Sequence, residues 1–277
     1  MTDHPYPLAG VLGNPIAHSR SPKLHRHWLK TYDLAGDYVA LPVEGDNLET
    51  VLKTLPKMGF VGVNVTIPHK VHALHIADQV TDRATLIGAA NTLTFLPDGK
   101  IYADNTDGYG FIENLRQNAS GWRANAGPAA VFGAGGAARA IIVALLDAGA
   151  PEILLSNRTR AKAETLRQEF GSRVRVVEWV QAGNMLEEAA TVVNTTSLGM
   201  KGAAEFRVPL DGLRPDAVVT DLVYTPLRTP LLDTASEMGC TTVDGLGMLL
   251  HQGVPGFERW FGVRPEVNDA LRKAVLA

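Results

Sequence analysis

The chain has 277 residues, and the usual size of about 100–200 residues per domain predicts two domains rather than one. Hydrophobic residues account for 45% of the chain and charged residues for 20%, a balance that favours packed cores over disorder. The formal net charge of −3 provides no basic field for nucleic acid or an anionic membrane, so we expect neither as a partner.

Cysteine usage and hydropathy favour a cytoplasmic location. No run of about 18 apolar residues is available to span a bilayer, and the first residues lack the basic start and apolar stretch of a signal peptide. Cys240 is the only cysteine, which excludes internal disulfides and is typical of a reducing compartment. We therefore expect a cytoplasmic protein.

Short apolar, β-branched segments alternate with helix-like segments along the chain, which is typical of parallel sheets with crossover helices. In the first hundred residues we predict strands at 8–13, 38–43, 60–65 and 91–95. Helices are predicted between them at 24–31, 48–55 and 69–76. The turn at 97–100, Pro-Asp-Gly-Lys, predicts an antiparallel hairpin with a further strand at 101–103.

The alternation becomes more regular from residue 108 onwards. After a helix at 111–117 and a connection at 118–128, strands are predicted at 129–132, 153–156, 174–177, 191–194, 218–222 and 241–244. Helices at 246–261 and 266–276 close the chain. We infer a first α/β domain at 1–107, completed by 245–277, and a nucleotide-binding domain at 108–244. The closing helix is expected to return to the first domain.

A glycine-rich turn marks the start of the second domain. Gly133-x-Gly135-x-x-Ala138 follows an apolar strand and opens an Ala-rich helix. In the dinucleotide fingerprint the first glycine permits the tight turn, the second lets the backbone approach a pyrophosphate, and a small third residue allows close helix packing. The helix N-terminus then offers free N–H groups to phosphates. An ordinary strand-to-helix turn is the alternative.

The residues after the next strand favour NADP over NAD. An NAD site normally has an acidic residue about 20 residues after the first glycine, but Asn157-Arg158-Thr159 stands here, 24 residues after Gly133. Arg158 can bind a 2′-phosphate through two parallel hydrogen bonds, and Lys162 adds a second positive charge. Alternatively, Thr159 only caps the next helix and the cations are solvated; both interpretations can hold at once.

Candidate catalytic groups lie in the first domain and at its end. Lys70 follows the buried-looking strand 60–65, and Asp107 ends the run 103–107. A lysine and a carboxylate at a sheet edge can move a proton while a cofactor moves a hydride, which points to a dehydrogenase. The alternatives are a solvated lysine in the first turn of a helix and an Asx-turn before Gly108. Ser19 and Ser21, in the loop 13–22, suit a small polyol or carboxylate, or serve as turn residues and an N-cap.

Several segments in the same order give the chain a specific resemblance. They are Gly-Asn-Pro-Ile-Ala-His-Ser-Arg-Ser-Pro (13–22), Asn-Val-Thr-Ile-Pro-His-Lys (64–70), Gly-Ala-Ala-Asn-Thr-Leu (88–93), Asn-Thr-Asp-Gly (105–108), the Gly-rich turn, Asn-Arg-Thr (157–159), Asn-Thr-Thr-Ser-Leu-Gly-Met (194–200) and Asp-Gly-Leu-Gly-Met (244–248). In these segments the chain resembles the NADP-dependent shikimate dehydrogenases. Each segment alone is modest, and their shared order along the chain makes the resemblance specific.

The resemblance implies a mostly parallel α/β substrate domain, a Rossmann-type dinucleotide-binding domain and reversible NADPH-dependent reduction of 3-dehydroshikimate to shikimate in aromatic amino-acid biosynthesis. It implies catalytic roles for Lys70, which donates the proton, and Asp107, which mainly orients. It implies shikimate contacts at Ser19, Ser21, Asn64, Thr66, Asn91, Asp107, Tyr224 and Gln252. It implies cofactor contacts at Gly133, Ala134, Gly135, Gly136, Ala137, Asn157, Arg158, Thr159 and Lys162, with Asp82, Leu222 and Gly245 from across the cleft.

Other functions fit the same residues. A close relative could oxidise quinate or use NAD, a non-catalytic relative could sense NADPH or a metabolite, and another lysine-dependent dehydrogenase could share the two-domain layout. His69, His72 and His75 recur every three residues, but no cysteine or carboxylate completes a ligand set, so we expect a solvent-facing stripe and no metal. His25 is expected on a helix surface. The oligomeric state is expected to be monomer or homodimer.

Overall fold

The computed structural model describes residues 6–277, which form two α/β units. One unit contains the residues up to Thr106 together with Leu249–Ala277, and the other contains Asp107–Met248. The strands are β1 (Leu8–Gly13), β2 (Asp37–Pro42), β3 (Phe60–Val65), β4 (Gln79–Val80), β5 (Thr92–Phe95), β6 (Ile101–Asp104), β7 (Ala129–Phe132), β8 (Ile153–Ser156), β9 (Val174–Val177), β10 (Thr191–Asn194), β11 (Val218–Asp221) and β12 (Thr241–Val243). The α-helices are α1 (Ser21–Thr31), α2 (Leu48–Thr54), α3 (Lys70–Ile76), α4 (Asp82–Ile87), α5 (Asp107–Asn118), α6 (Gly136–Asp147), α7 (Arg160–Phe170), α8 (Pro230–Glu237), α9 (Leu246–Phe261) and α10 (Asp269–Leu276). None of the helices within residues 6–277 combines the length and apolar character needed to cross a membrane.

The first unit is built on a six-stranded sheet with the order β2-β1-β3-β5-β6-β4. β1 pairs in parallel with β2 and β3, and β4 pairs in parallel with β6. The pairs β3–β5 and β5–β6 are antiparallel, which confirms the predicted hairpin. Because β5 runs opposite to its neighbours, its amino end lies at the same edge as the carboxyl ends of β3 and β6.

Two apolar clusters enclose β1 and β3. One contains Leu12, Val63 and Leu93 together with residues of α2 and α3. The other contains Trp260 of α9, whose indole Nε1 donates to the Leu93 carbonyl at 3.1 Å. Gly62 permits this approach, because a Cβ at that position would lie 1.9 Å from the same Nε1. Burial on both faces explains why these strands read as nearly continuous apolar runs.

α1 brings a histidine into the aromatic part of this core. The expectation of a surface position for His25 is wrong, because its side chain is fully buried. Its ring stacks on Tyr38 at a centroid distance of 3.9 Å and meets Trp28 edge-on at 5.5 Å. Burial lowers the pKa of His25 to about 3, so the imidazole is neutral and packs as a flat ring.

The second unit contains a parallel sheet with the order β12-β11-β10-β7-β8-β9. Alternate residues of β7 enter different cores: Ala129 and Val131 join one cluster, and Ala130 and Phe132 join the other. The chain proceeds from β7 to β8 and β9 and then returns to β10 on the other side of β7. This reversal defines a Rossmann-type doubly wound sheet, so the expected fold class is confirmed.

Most strands have the predicted bounds, and two short elements were not anticipated. β4 has only two residues, and α4 has six. α4 begins after Thr81, whose side-chain oxygen accepts a hydrogen bond from the Ala84 amide at 3.2 Å. Between β9 and β10, the segment Trp179–Glu187 forms 3-10 turns rather than a regular crossover helix.

Candidate active site

The loops that follow β1 and β3 are held side by side at one edge of the first sheet. The Asn14 amide donates to the Ile67 carbonyl at 3.1 Å, and the Thr66 amide donates to the Leu12 carbonyl at 2.9 Å. Gly13 has no room for a side chain, because a Cβ there would lie 2.6 Å from the Thr66 methyl carbon. The loop that carries the two serines and the loop that leads to the lysine therefore start from adjacent strands, as sites in open α/β sheets do.

The two serines occupy the start of α1. Ser21 is the first residue of the helix and is buried, and its amide donates to the Ser19 hydroxyl oxygen at 3.3 Å. Ser19 is half-buried. The Ser19 hydroxyl thus lies in the loop between β1 and α1 and the Ser21 hydroxyl lies at the first residue of α1, where helix N–H groups favour an anion such as a carboxylate.

Lys70 is the first residue of α3 and is half-buried. Its backbone carbonyl accepts a hydrogen bond from the Ala90 amide at 2.9 Å. The preceding residue, His69, is buried, and its ring Nε2 lies 2.6 Å from the Val43 carbonyl oxygen. These contacts fix the backbone at the position of the lysine.

The histidine stripe is only partly as expected. His72 and His75 are exposed, but His69 is buried, so the interpretation that all three face solvent is wrong for His69. Its bond to a backbone carbonyl is a structural role. Within residues 6–277, no group of three or more His, Cys, Asp or Glu side chains is arranged to hold a metal ion.

A buried amide network continues this edge. The Asn64 Nδ2 donates to the Asn91 carbonyl and to the Thr92 hydroxyl, both at 3.1 Å. The Asn91 Oδ1 accepts from the Thr106 amide at 2.8 Å, and its Nδ2 donates to the Gln252 Oε1 at 3.3 Å. The structure therefore brings together three of the expected substrate contacts, Asn64, Asn91 and Gln252, from β3, the start of β5 and α9.

An ion triad lies next to this network, where the Asn91 amide donates to the Asp104 carbonyl at 3.0 Å. Asp104, fully buried at the end of β6, accepts two hydrogen bonds from Arg83 and one at 2.8 Å from Arg259. It also accepts from the Asn105 amide at 2.7 Å. Burial alone would raise the pKa of this carboxyl group, but the hydrogen bonds from the two arginines outweigh burial and lower the pKa to about 2.

The glycine-rich turn of the second unit has the geometry that its sequence predicts. Gly133 has a φ of +107°, and a Cβ there would lie 2.6 Å from the Thr195 hydroxyl oxygen, at the point where β7 and β10 are neighbours. Gly135 and Gly136 are exposed, and a Cβ on either would meet no protein atom within 4 Å. The space above the turn at the start of α6 is thus open, as the approach of a pyrophosphate requires.

The loop after β8 leaves the expected cations accessible. Asn157 fixes it, with its Oδ1 accepting from the Ala134 amide at 3.2 Å and its Nδ2 donating to the Thr159 carbonyl at 2.8 Å. Arg158 and Lys162 are exposed and form no side-chain ion pair with any residue in 6–277, whereas Arg160 is paired with Glu164 and Glu178. Thr159 stands at the N-cap of α7, but its side chain makes no capping hydrogen bond to a described residue.

Other expected contacts lie at the carboxyl ends of β11 and β12. A Cβ on Gly245 would lie 2.4 Å from the Leu222 carbonyl oxygen, so these two residues are adjacent. Tyr224 follows β11 and is half-buried, and Asp107 is the buried first residue of α5. In the first unit, Asp82 is the exposed first residue of α4.

A buried acid near these residues was not anticipated. Asp221, the last residue of β11, accepts hydrogen bonds from Asn194 at 2.9 Å and from the Thr229 hydroxyl at 2.7 Å. Burial raises its pKa to about 6 against the opposing effect of these hydrogen bonds. Its strand reads as an ordinary apolar run, and the only signal in the sequence was a carboxylate at the point where the strand ends.

One unit carries a glycine-rich turn with the geometry of the dinucleotide fingerprint, and the other carries a lysine at a polar sheet edge. Together with the fold, these features define the class: a two-domain, nicotinamide-dependent dehydrogenase. Comparison with known proteins gives the particular family. The family model described as the shikimate dehydrogenase substrate binding domain matches residues 11–93. The shikimate / quinate 5-dehydrogenase model matches residues 116–200, and the shikimate 5′-dehydrogenase C-terminal domain model matches residues 245–276. The chain belongs to the shikimate dehydrogenase family, as the resemblance implied.

Individual relatives are similar over nearly their whole length. A shikimate dehydrogenase (NADP(+)) from Roseobacter denitrificans is 66% identical over 270 residues, covering 98% of each chain. The structure of shikimate 5-dehydrogenase from Thermus thermophilus in complex with NADP(H) and shikimate is 37% identical, with a TM-score of 0.87 over 97% of this chain and 98% of that one. The quinate dehydrogenase from Corynebacterium glutamicum in complex with NAD is 29% identical, with a TM-score of 0.90 over 98% and 99% of the two chains.

Proposed function

We propose that this protein catalyses the reversible NADPH-dependent reduction of 3-dehydroshikimate to shikimate, the step that its family carries out in aromatic amino-acid biosynthesis. The proposal rests on three features that occur together in this member of the family. The turn at Gly133–Gly136 is open, Arg158 is accessible, and the backbone at Lys70 is fixed. The 66% identity to a relative named shikimate dehydrogenase (NADP(+)) supports both the substrate and the cofactor.

The residues of the second unit fit NADP. The turn at Gly133 is tight, and the positions of Gly135 and Gly136 leave space for a pyrophosphate. Ala134 lies in the same turn, and Ala137 lies in the first turn of α6. Arg158 and Lys162 are accessible to the 2′-phosphate, with Asn157 and Thr159 as neighbours. We assign Leu222, Gly245 and Asp82 as further cofactor contacts. When bound, NADPH supplies the hydride that reduces the ring ketone.

Lys70 is the group to which we assign proton transfer. When the ketone carbon gains a C–H bond, the C=O double bond becomes a single bond and negative charge develops on its oxygen. The Lys70 ammonium stabilises that charge and donates a proton, so that an N–H bond breaks and an O–H bond forms. In the reverse direction the neutral amine accepts the proton. We assign Asp107 mainly an orienting role toward the lysine and the reacting hydroxyl.

The remaining polar groups bind the substrate, a carboxylated ring with several hydroxyls. Ser19, Ser21 and Thr66 lie in the two loops that are held side by side, and Asn64, Asn91 and Gln252 form the amide network. Tyr224 completes the set. Such a site discriminates steeply between ring substrates, because an analogue that lacks one hydroxyl leaves a buried polar group unpaired.

Replacement of the lysine tests the proton-transfer role. Lys70→Ala is expected to lower kcat for NADP reduction by shikimate by about 10²–10⁴-fold, the usual contribution of a positioned acid–base group, while KM for shikimate changes little. Lys57→Ala, at an exposed lysine of the same unit, is the matched control and should retain full turnover. Near-wild-type turnover by Lys70→Ala would remove the assignment.

Replacement of the arginine tests the cofactor. Arg158→Asp is expected to shift the ratio of kcat/KM for NADP over NAD by about 10–100-fold toward NAD, because a charge-assisted contact contributes about 1.5–3 kcal/mol. Arg160→Ala, at an arginine already paired with two carboxylates, should leave the ratio unchanged. An unchanged ratio in Arg158→Asp contradicts the 2′-phosphate contact.

A broader activity on quinate, or with NAD, is a second candidate. The likeness to the quinate dehydrogenase complexed with NAD, at a TM-score of 0.90, supports it. Initial rates with shikimate and quinate under each cofactor separate the two candidates, and measurable turnover with either disposes of a non-catalytic sensor. We further propose that the enzyme is cytoplasmic and that it is a monomer or homodimer. Light scattering of the purified protein tests the oligomeric state.

A further inference from the structure

A buried tyrosine that the proposed function does not use lies next to Asn64, one of the assigned substrate contacts. Tyr38, on β2, is fully buried, and its hydroxyl donates to the Asn64 Oδ1 at 2.7 Å. Burial raises the pKa of Tyr38 well above its ordinary value, while a hydrogen bond from Ser21 opposes that shift. The phenol therefore keeps its proton and donates it in the hydrogen bond to Asn64.

The ring of Tyr38 is held in place from its flat side. His25 stacks on it at 3.9 Å with an angle of 2° between the ring planes, and Trp260 lies 6.3 Å away. Neither nitrogen of the neutral His25 ring has a hydrogen-bond partner among the described residues, so the contact with Tyr38 is one of ring packing. A ring fixed in this way fixes the position of its hydroxyl.

The hydroxyl determines which way the Asn64 amide faces. Because Tyr38 donates to Oδ1, the Nδ2 of Asn64 points to the Asn91 carbonyl and the Thr92 hydroxyl. The Thr92 hydroxyl in turn donates to the Asn91 Oδ1 at 2.9 Å. The Asn91 Nδ2 then donates to Gln252. One phenolic proton therefore orders a chain of amides that ends at two assigned substrate contacts.

We propose that Tyr38 is a positioning residue for the ring substrate: its hydroxyl sets the orientation of Asn64 and, through Asn64, that of Asn91. The inference rests on the proposed function, because it requires Asn64 and Asn91 to contact the substrate. It assigns to Tyr38 an effect on substrate binding alone, since Tyr38 belongs to the unit that lacks the dinucleotide turn.

The test is Tyr38→Phe, which removes the hydroxyl and keeps the ring against His25. We expect KM for shikimate to rise about tenfold, which corresponds to about 1.4 kcal/mol, the scale of one lost hydrogen bond. KM for NADP and kcat should stay within about twofold, because neither Lys70 nor the turn at Gly133 depends on the hydroxyl.

Thr94→Val is the matched control, because the Thr94 hydroxyl is also buried, on β5 of the same sheet, but has no hydrogen-bond partner among residues 6–277. It should leave both KM values unchanged. Thermal unfolding of each variant separates a structural effect from a positioning effect. A KM for shikimate that stays within about twofold in Tyr38→Phe, with or without a lower Tm, overturns the proposal.

A change in Tyr38→Phe that raises both KM values and lowers kcat together overturns it as well, because that pattern indicates general damage. The role of Tyr38 and the proposed function are refuted by different results. Wild-type protein that turns over shikimate while Tyr38→Phe is unaffected removes only the role of Tyr38. Wild-type protein with no turnover of shikimate removes the proposed function and the positioning role with it.

Discussion

The ion triad of Asp104 provides a stability prediction whose size follows from the structure. The carboxylate is fully buried, whereas the exposed fractions of the side chains of Arg83 and Arg259 are 44% and 31%. The difference between the ordinary pKa of 3.8 and about 2 corresponds to about 2–3 kcal/mol of stability. Asp104→Asn is therefore expected to lower the free energy of unfolding at pH 7 by about 2–3 kcal/mol.

The pH dependence gives the prediction its sign. Because the folded-state pKa is lowered, the stabilisation is fully present above about pH 4 and is lost as the pH falls toward 2. The difference in stability between wild type and Asp104→Asn should be constant from pH 7 to 5 and should shrink below pH 4. Tm values at several pH values measure it, and at neutral pH we expect a decrease of about 5–10 °C.

Asp98→Asn is the matched control for this experiment. Asp98 lies in the turn of the same hairpin and pairs with Lys100, but half of its side chain is exposed. Its replacement should leave Tm nearly unchanged at every pH, because exposed ion pairs contribute little. A difference between wild type and Asp104→Asn that persists undiminished at pH 3, or that is absent at pH 7, would refute the reasoning.

Three further predictions concern other parts of the molecule. The pKa of Asp221 is raised to about 6, so its ionised form destabilises the folded state. Wild type should gain about 2 kcal/mol of stability as the pH falls from 7.5 to 4.5, and Asp221→Asn should lose that gain, as Tm against pH will show. Gly133→Ala should lower Tm and raise KM for NADP. Gly135→Ala should raise KM for NADP with little change in Tm. Equal effects of the two substitutions on Tm would contradict the geometry of the turn. Gly62→Ala should destabilise the protein by about 3 kcal/mol in urea unfolding, because it displaces the Trp260 indole; an unchanged midpoint would show that the indole can move without loss.

The sequence predicts the architecture well where a local pattern and long-range packing agree. Strands such as β3 and β7 are apolar runs of ordinary length, and their bounds are observed as predicted. β4 was not predicted because its two residues are too few to show a periodicity. α4 was not predicted because no apolar stripe follows its N-cap at Thr81. The hairpin was predictable because its turn chemistry is local.

The polar interior is where prediction from the sequence ends. His25 lies at a helical position that looks like a surface histidine, and only the fold shows that Tyr38 and Trp28 enclose it. Asp221 and Tyr38 likewise depend on partners far away in the chain, such as Asn194 and Asn64. Motifs identified the residues that are assigned to ligands, but the hydrogen bonds that support those residues become visible only in three dimensions.

The last helices of the chain are bonded to the first sheet and to α1, and this has a consequence for the order of folding during synthesis. Trp260 bonds to Leu93, Arg259 to Asp104, and Trp28 to the Glu266 carbonyl, across 167, 155 and 238 residues of chain. The second unit, by contrast, is one uninterrupted stretch that is complete at residue 248. During synthesis from the amino end, the second unit is therefore complete before the first. When residue 248 has been made, the first sheet still lacks Trp260, whose indole packs against it.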